Sequence, residues 1–130
     1  MYNLKFIKIS KLKQHEKIDK ENFRNVKTAI IKSGMLKCPI IVDKFSLTVL
    51  DGHHRLNSLK KLGAKKIPCI LVDYFRDPKI RVSSRRKNYV ITKEKVVEKA
   101  LKGRLFPSKT TKHSVPYRIK NLNVSLTKLI

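Results

Sequence analysis

Ile41-Val42-Asp43, a short polar gap, and then Thr48-Val49-Leu50-Asp51-Gly52-His53-His54-Arg55 form the stretch on which the reading of this chain turns. It sets an acid, a glycine, two imidazoles and a guanidinium in five consecutive positions behind two apolar runs. Pro39-Ile40-Ile41-Val42 and Thr48-Val49-Leu50 are β-branched or apolar, and Asp43-Lys44-Phe45-Ser46 separates them, so they predict a hairpin or two neighbouring strands. After Arg55 the period changes. Leu56, Leu59 and Leu62 recur at helical spacing and Gly63 follows as a stop. Asp51 is therefore expected where a strand ends and a helix begins, with Gly52, His53, His54 and Arg55 in the first turn. Such a turn presents free main-chain N–H groups and the positive end of a helix dipole to an anion, and Arg55 adds a planar fork suited to phosphate oxygens. Asp51 is read either as the helix cap or as a carboxylate that helps place a metal ion. Adjacent helical residues point about 100° apart, so His53 and His54 do not read as a shared zinc pair.

The rest of the chain predicts an organised α/β pattern without repeats. Residues 5–10 alternate as an opening strand. Asp19 caps a helix running to about residue 32, with Phe23, Val26 and Ile30 on its buried face and Ser33-Gly34 at its end. A strand is expected over 67–73 and a second, basic one over 79–83. Thr92 caps a helix whose Val96, Val97, Ala100 and Leu101 form an apolar stripe, and Gly103 stops it. Beyond Leu105 the chain is punctuated by proline, with a short final element over 124–130.

At this point three blocks carry a resemblance. Leu50-Asp51-Gly52-His53-His54-Arg55, followed by Leu62-Gly63-Ala64-Lys65-Lys66-Ile67-Pro68 and Val72-Asp73-Tyr74-Phe75, resembles the ParB/sulfiredoxin superfamily. Leu12-Lys13-Gln14-His15-Glu16 and Pro107-Ser108-Lys109-Thr110-Thr111-Lys112-His113-Ser114-Val115-Pro116-Tyr117 are similar to segments of its free serine kinase branch. The resemblance implies a compact α/β (α+β) domain over residues 1–130, a small mixed sheet with flanking helices and a motif helix whose N-terminus meets phosphate. In this scheme residues 1–79 form the core and the basic residues 80–130 complete the site. It further implies phosphoryl transfer from ATP or ADP to L-serine, with Mg2+, giving O-phospho-L-serine for cysteine biosynthesis. Glu16 and Asp51 would be the catalytic pair, with Asp51 also the candidate Mg2+ ligand. Gly52, His53, His54 and Arg55 would hold the nucleotide phosphates, and Thr110, Thr111, Lys112 and His113 the serine. Without the resemblance Glu16 reads as a surface acid on a charged loop, and His15 as a surface or supporting residue.

The departures are specific. Lys112 stands where the kinases carry arginine, so a bidentate grip becomes a point charge. The chain has no tryptophan, and Ile80-Arg81-Val82-Ser83-Ser84-Arg85-Arg86 occupies the region of a long insertion in the archaeal kinases. His53 takes the place of the reactive sulfiredoxin cysteine, which excludes that repair chemistry.

Charge supports a competing expectation. Thirty-two Lys and Arg against nine Asp and Glu give a formal net charge of +23. Residues 1–79 carry 18 basic and 7 acidic side chains, and residues 80–130 carry 14 and 2, so the excess is densest toward the C-terminus. Such a field draws nucleotides and nucleic acids alike. The alternative is thus a ParB-like nucleotide-binding DNA-binding protein or regulator, or a ParB-type ATPase or nuclease. Lysine richness also fits an AT-rich genome or a high growth temperature. Cys38 and Cys69, in apolar surroundings at the starts of predicted strands, read as small core residues. No stretch approaches the roughly 18 apolar residues of a membrane span, and no signal-peptide pattern opens the chain, so a cytoplasmic protein is expected. Oligomeric state has no signature in the sequence.

Overall fold

Ile40, Ile41 and Val42 alternate between two separate apolar clusters, which is why a strand of four buried residues sits at the centre of this protein. In a computed structural model describing residues 3–116 and 118–130, eight strands and three helices follow one another. Met1, Tyr2 and Tyr117, the last residue of the C-terminal block, lie outside the described residues. The elements are β1 (Leu4–Lys8), α1 (Lys20–Ser33), β2 (Met35–Leu36), β3 (Ile40–Asp43), β4 (Val49–Asp51) and α2 (His53–Lys61). They continue with β5 (Lys66–Val72), β6 (Arg81–Ser84), α3 (Lys93–Leu101), β7 (Thr111–Ser114) and β8 (Val124–Ser125).

The main sheet has the order β1-β5-β3-β4. β1 is antiparallel to β5, β3 is parallel to β5, and β3 is antiparallel to β4. It is the small mixed sheet with flanking helices expected from the sequence. A parallel pair needs a crossover, and α2 lies in the one joining β4 to β5. β2 pairs with β8, and β6 with β7.

Each face of the sheet is covered. On one side Ile40, Val42, Ile67 and Cys69 pack with Ile30 of α1 and with Leu56 and Leu59 of α2. On the other, Ile41, Ile70 and Val72 pack with Ile80, Val96, Val97 and Val115, so residues beyond 79 help build the core on this face. Asp43 is a fully buried carboxylate, satisfied by Ser46 N–H at 2.9 Å, Ser46 Oγ at 2.7 Å and Tyr74 N–H at 3.3 Å.

Asp19 caps α1 by accepting the Asn22 N–H at 3.1 Å, and Thr92 caps α3 by accepting that of Lys95 at 3.2 Å, as their positions predicted. Several expectations are corrected. Leu101 is 57% exposed because the apolar stripe of α3 is satisfied by Val96, Val97 and Ala100. Of the predicted α1 face only Ile30 is fully buried; Phe23 and Val26 are half-buried. Cys69 is buried in β5, but Cys38 precedes β3, half-buried, with its Sγ 3.6 Å from the Lys120 carbonyl. Both cysteines are free. Among the described residues no helix is long and apolar enough to cross a membrane.

Candidate active site

Gly52 makes the turn between β4 and α2 at φ +108°, a conformation L side chains rarely adopt. A Cβ there would lie 2.4 Å from Ile40 Cγ2, so space and backbone both require glycine. The register between β3 and β4 shifts between Ile41 and Val42, a bulge at the end of the strand where Asp51 sits. Asp51 does not cap α2. Gly52 is the N-cap residue and the helix has no side-chain cap. The turn at Gly52 sends the carboxylate elsewhere: Asp51 Oδ2 accepts from Arg118 Nη1 at 2.5 Å and from Arg55 Nη2 at 3.3 Å. The first helical bond runs from the Leu56 N–H to the Gly52 carbonyl, which leaves the earlier N–H groups of the turn without acceptors in the helix.

Glu16 is set by two flanking main-chain pairings. Lys13 pairs with Thr48, through Lys13 N–H to the Leu47 carbonyl at 3.0 Å and Val49 N–H to the Lys13 carbonyl at 2.8 Å. Glu16 itself pairs with Phe106, through Phe106 N–H to the His15 carbonyl and Lys17 N–H to the Phe106 carbonyl. One carboxylate oxygen, Oε1, accepts from Thr111 N–H at 2.7 Å, Thr111 Oγ1 at 2.8 Å and Thr110 N–H at 3.2 Å. Three donors on one oxygen fix the carboxylate and leave Oε2 without a partner among the described residues.

Behind Glu16 lies a buried imidazole cluster. His15 is fully buried rather than on the surface, because its Nδ1 lies 2.8 Å from the Val49 carbonyl and its Nε2 3.0 Å from Thr111 Oγ1. The His15 ring centroid is 4.5 Å from that of His53 and 5.5 Å from that of His113. Burial lowers His15 to about 4 and His113 to about 3, and with neighbouring rings it holds His53 well below its ordinary 6.5. His113 Nε2 is bonded to the Tyr74 hydroxyl at 2.8 Å, and burial pushes that phenol above its usual value.

A cavity of about 360 Å³ opens in front of these groups. Glu16, Asp51, Gly52, His53 and His54 line one part of it, and Thr111, Lys112 and His113 another. Eight of the ten residues singled out in the sequence thus meet there. Two do not. Thr110 is fully buried and its hydroxyl donates to the Pro107 carbonyl at 2.6 Å, so only its main-chain N–H serves the site, on Glu16. Arg55 donates to the Pro39 carbonyl at 3.1 Å and lines a second cavity of about 130 Å³ that shares Asp51 and Arg118. Within and just beyond the Thr110 to His113 block, residues 111–114 are β7, and Thr111 and His113 alternate inward. Sequence reasoning missed Asn22, Arg85 and Arg118 as lining residues. Arg85 belongs to the basic run that pairing with β7 brings over the cavity, since its N–H donates to the Thr110 carbonyl. Arg118 lies four residues beyond β7 and 67 from Asp51, with no local pattern to mark it.

The architecture is that of a solved free serine kinase in complex with AMP, matched with a TM-score of 0.88 at 18% identity over 98% of this chain and 93% of that one. The model of the ParB N-terminal domain matches residues 2–87, and the chain belongs to that family. A ParB-like protein of Sulfolobus acidocaldarius is 33% identical over 118 residues, 90% of this chain and 56% of that protein. The ADP-dependent L-serine kinase SerK of Thermococcus kodakarensis is 34% identical over 76 residues, 55% of this chain and 31% of that protein. The chain therefore spans about half or less of the length of these curated relatives.

Proposed function

We propose that this protein is a free L-serine kinase that transfers a phosphoryl group from ATP or ADP to the serine hydroxyl, giving O-phospho-L-serine, a precursor for cysteine. The observation that carries the reading is Glu16: a carboxylate at a cavity wall, one oxygen held by three donors and the other turned to no described partner, beside the open N-terminus of α2. The first-turn N–H groups of α2, Gly52 through Arg55, cradle the donor's phosphates, and Thr111, Lys112 and His113 line the end that takes serine. The serine Oγ attacks the terminal phosphorus, the bond from that phosphorus to the leaving nucleotide breaks, and Glu16 accepts the hydroxyl proton. The product nucleotide is ADP from ATP and AMP from ADP.

Among the described residues no three His, Cys, Asp or Glu side chains gather into a closed metal site. Mg2+ needs only one or two carboxylates beside the substrate's own phosphates, and Asp51 at the cavity wall fits that need. A bound Mg2+ would neutralise charge on the phosphates. A cytoplasmic location, where such nucleotides are available, belongs to the same reading.

A second reading has its own observations: the +23 charge and the ParB-like relative aligned over 90% of this chain favour a nucleic-acid-binding regulator, or a nucleotide hydrolase or nuclease. One experiment separates the two. The protein is incubated with L-serine, Mg2+ and either ATP or ADP, and O-phosphoserine is measured alongside binding to duplex DNA across a salt series. Product that disappears in Glu16→Gln, with nucleotide binding retained, supports the kinase; no product with either donor and tight, salt-sensitive DNA binding supports the regulator.

A further inference from the structure

Helix α2 reaches across to the segment that carries Glu16 with three side chains. His53 Nε2 accepts the His15 N–H at 3.2 Å, and His54 Nε2 accepts the Asp19 N–H at 3.0 Å. Asn57 Nδ2 donates to Gln14 Oε1 at 2.7 Å. The two accepted N–H groups straddle Glu16, one residue before it and three after. A ring nitrogen that accepts from an N–H presents a lone pair, so both imidazoles are neutral with their proton on Nδ1. Burial, and after it the neighbouring His15, His113 and His54, oppose a charge on His53. His54 is the more open ring; burial and, less strongly, Lys109 oppose a charge on it, Asp19 and Glu16 favour one, and the balance lowers it from its ordinary value.

A main-chain N–H has a fixed direction, so each bond fixes a peptide plane as well as a distance. Asp19 is only half-buried, and water could satisfy its N–H without loss of the fold. A ring at that point serves where the direction of the chain matters. We propose that His53 and His54 are positioning residues, whose Nε2 atoms clamp the main chain on both sides of Glu16 and hold its carboxylate against the cavity. This rests on the kinase reading in assigning Glu16 the proton, and it gives the double histidine a role other than side-chain contact with phosphate.

The test uses His54, the more open of the two, in the full chain as Ala, Gln and Asn variants. Two readouts are taken: kcat and KM for serine and for the phosphate donor, and hydrogen exchange at the His15 and Asp19 amides. The Gln Oε1 reaches the place of Nε2 and accepts the same N–H, whereas Asn is too short. His54→Ala and His54→Asn are expected to lower kcat about ten- to a hundred-fold with KM for the donor within about two-fold, as a misplaced catalytic group does. They should also speed exchange at Asp19, and His54→Gln should recover most of both losses. A rise in KM with kcat kept, a Gln variant as impaired as Ala, or exchange at Asp19 unmoved in the Asn variant would overturn the clamp. If the unaltered protein forms no O-phosphoserine, the kinase reading fails by itself. The exchange comparison then still decides the clamp, faster exchange supporting it and unchanged exchange overturning it.

Discussion

Thr111 Oγ1 lies 3.0 Å from His15 Nε2 and, on its other side, 2.8 Å from Glu16 Oε1. His15 Nδ1 faces a carbonyl and so carries the ring's proton, which leaves Nε2 to accept. An ionised Glu16 can also only accept. A single hydroxyl proton thus serves two acceptors, one at a time, and a change at Glu16 is felt at a buried imidazole. Thr111→Val strands His15 Nε2 and is expected to cost about 1–3 kcal/mol of stability, the penalty for a buried polar atom left unpaired. Thr111→Ser restores the hydroxyl and most of that loss. Urea unfolding of the two variants is the measurement, and equal stability of Val and Ser would show that the hydroxyl is not needed there.

Gly52 tolerates no side chain. A Cβ would meet Ile40 Cγ2 at 2.4 Å and Ile40 Cβ at 2.9 Å, at a φ that already disfavours L residues. Overpacking and left-handed strain are each of the order of 1–3 kcal/mol, so Gly52→Ala should lose about 2–6 kcal/mol. Since Gly52 aims the N-terminus of α2, nucleotide binding should fall with it. Calorimetric unfolding and nucleotide titration check both, and a variant of ordinary stability would contradict the geometry.

The buried histidines set the acid response. Above pH 6.5 His15, His53 and His113 are neutral in the folded and unfolded chain alike, and the stability of the neutral cluster is fully present. As pH falls below 6.5 the unfolded chain binds protons that the folded chain refuses, and stability declines by about 1.4 kcal/mol per pH unit for each histidine. The decline continues to about pH 4 for His15 and about pH 3 for His113. Urea midpoints between pH 7 and pH 4.5 should therefore fall steeply. A flat midpoint over that range would rule out neutral burial of the cluster.

What the sequence made legible was whatever had a local period or a local cap. The β3–β4 hairpin, the leucines of α2, and the caps at Asp19 and Thr92 all declare themselves within a few residues. The inward face of β7 did not, because Thr-Lys-His-Ser is polar throughout and becomes a strand only by pairing with β6. His15 gave no sign of burial, since its partners are Val49 and Thr111, 34 and 96 residues away. In the same way His53 and His54 announced an anion site, while the groups their Nε2 atoms meet belong to a segment more than thirty residues earlier.

Arg118 is the largest omission of the sequence reading and yields a direct prediction. Its fork is held against Asp51 while Nη2 lies 3.5 Å from the His113 carbonyl, and it lines both cavities. The Asp51 pair is partly exposed, so its own contribution to stability is small, under about 1 kcal/mol. A guanidinium at the mouth of an anion site is worth more to a ligand than to the fold. Lys112, a single ammonium on the same wall, cannot make a bidentate grip on a phosphate or a carboxylate, whereas Arg118 can. Arg118→Ala should therefore raise KM for the phosphate donor or for serine about ten- to a hundred-fold, the equivalent of a lost charge-assisted hydrogen bond of about 1.5–3 kcal/mol. Its unfolding midpoint should barely move. Arg118→Lys should recover little, because a point charge does not reproduce the fork. If both KM values stay at those of the unaltered protein, Arg118 is bound to Asp51 for the sake of the surface alone, and the ligand's counter-charge must come from Arg85 and Lys112.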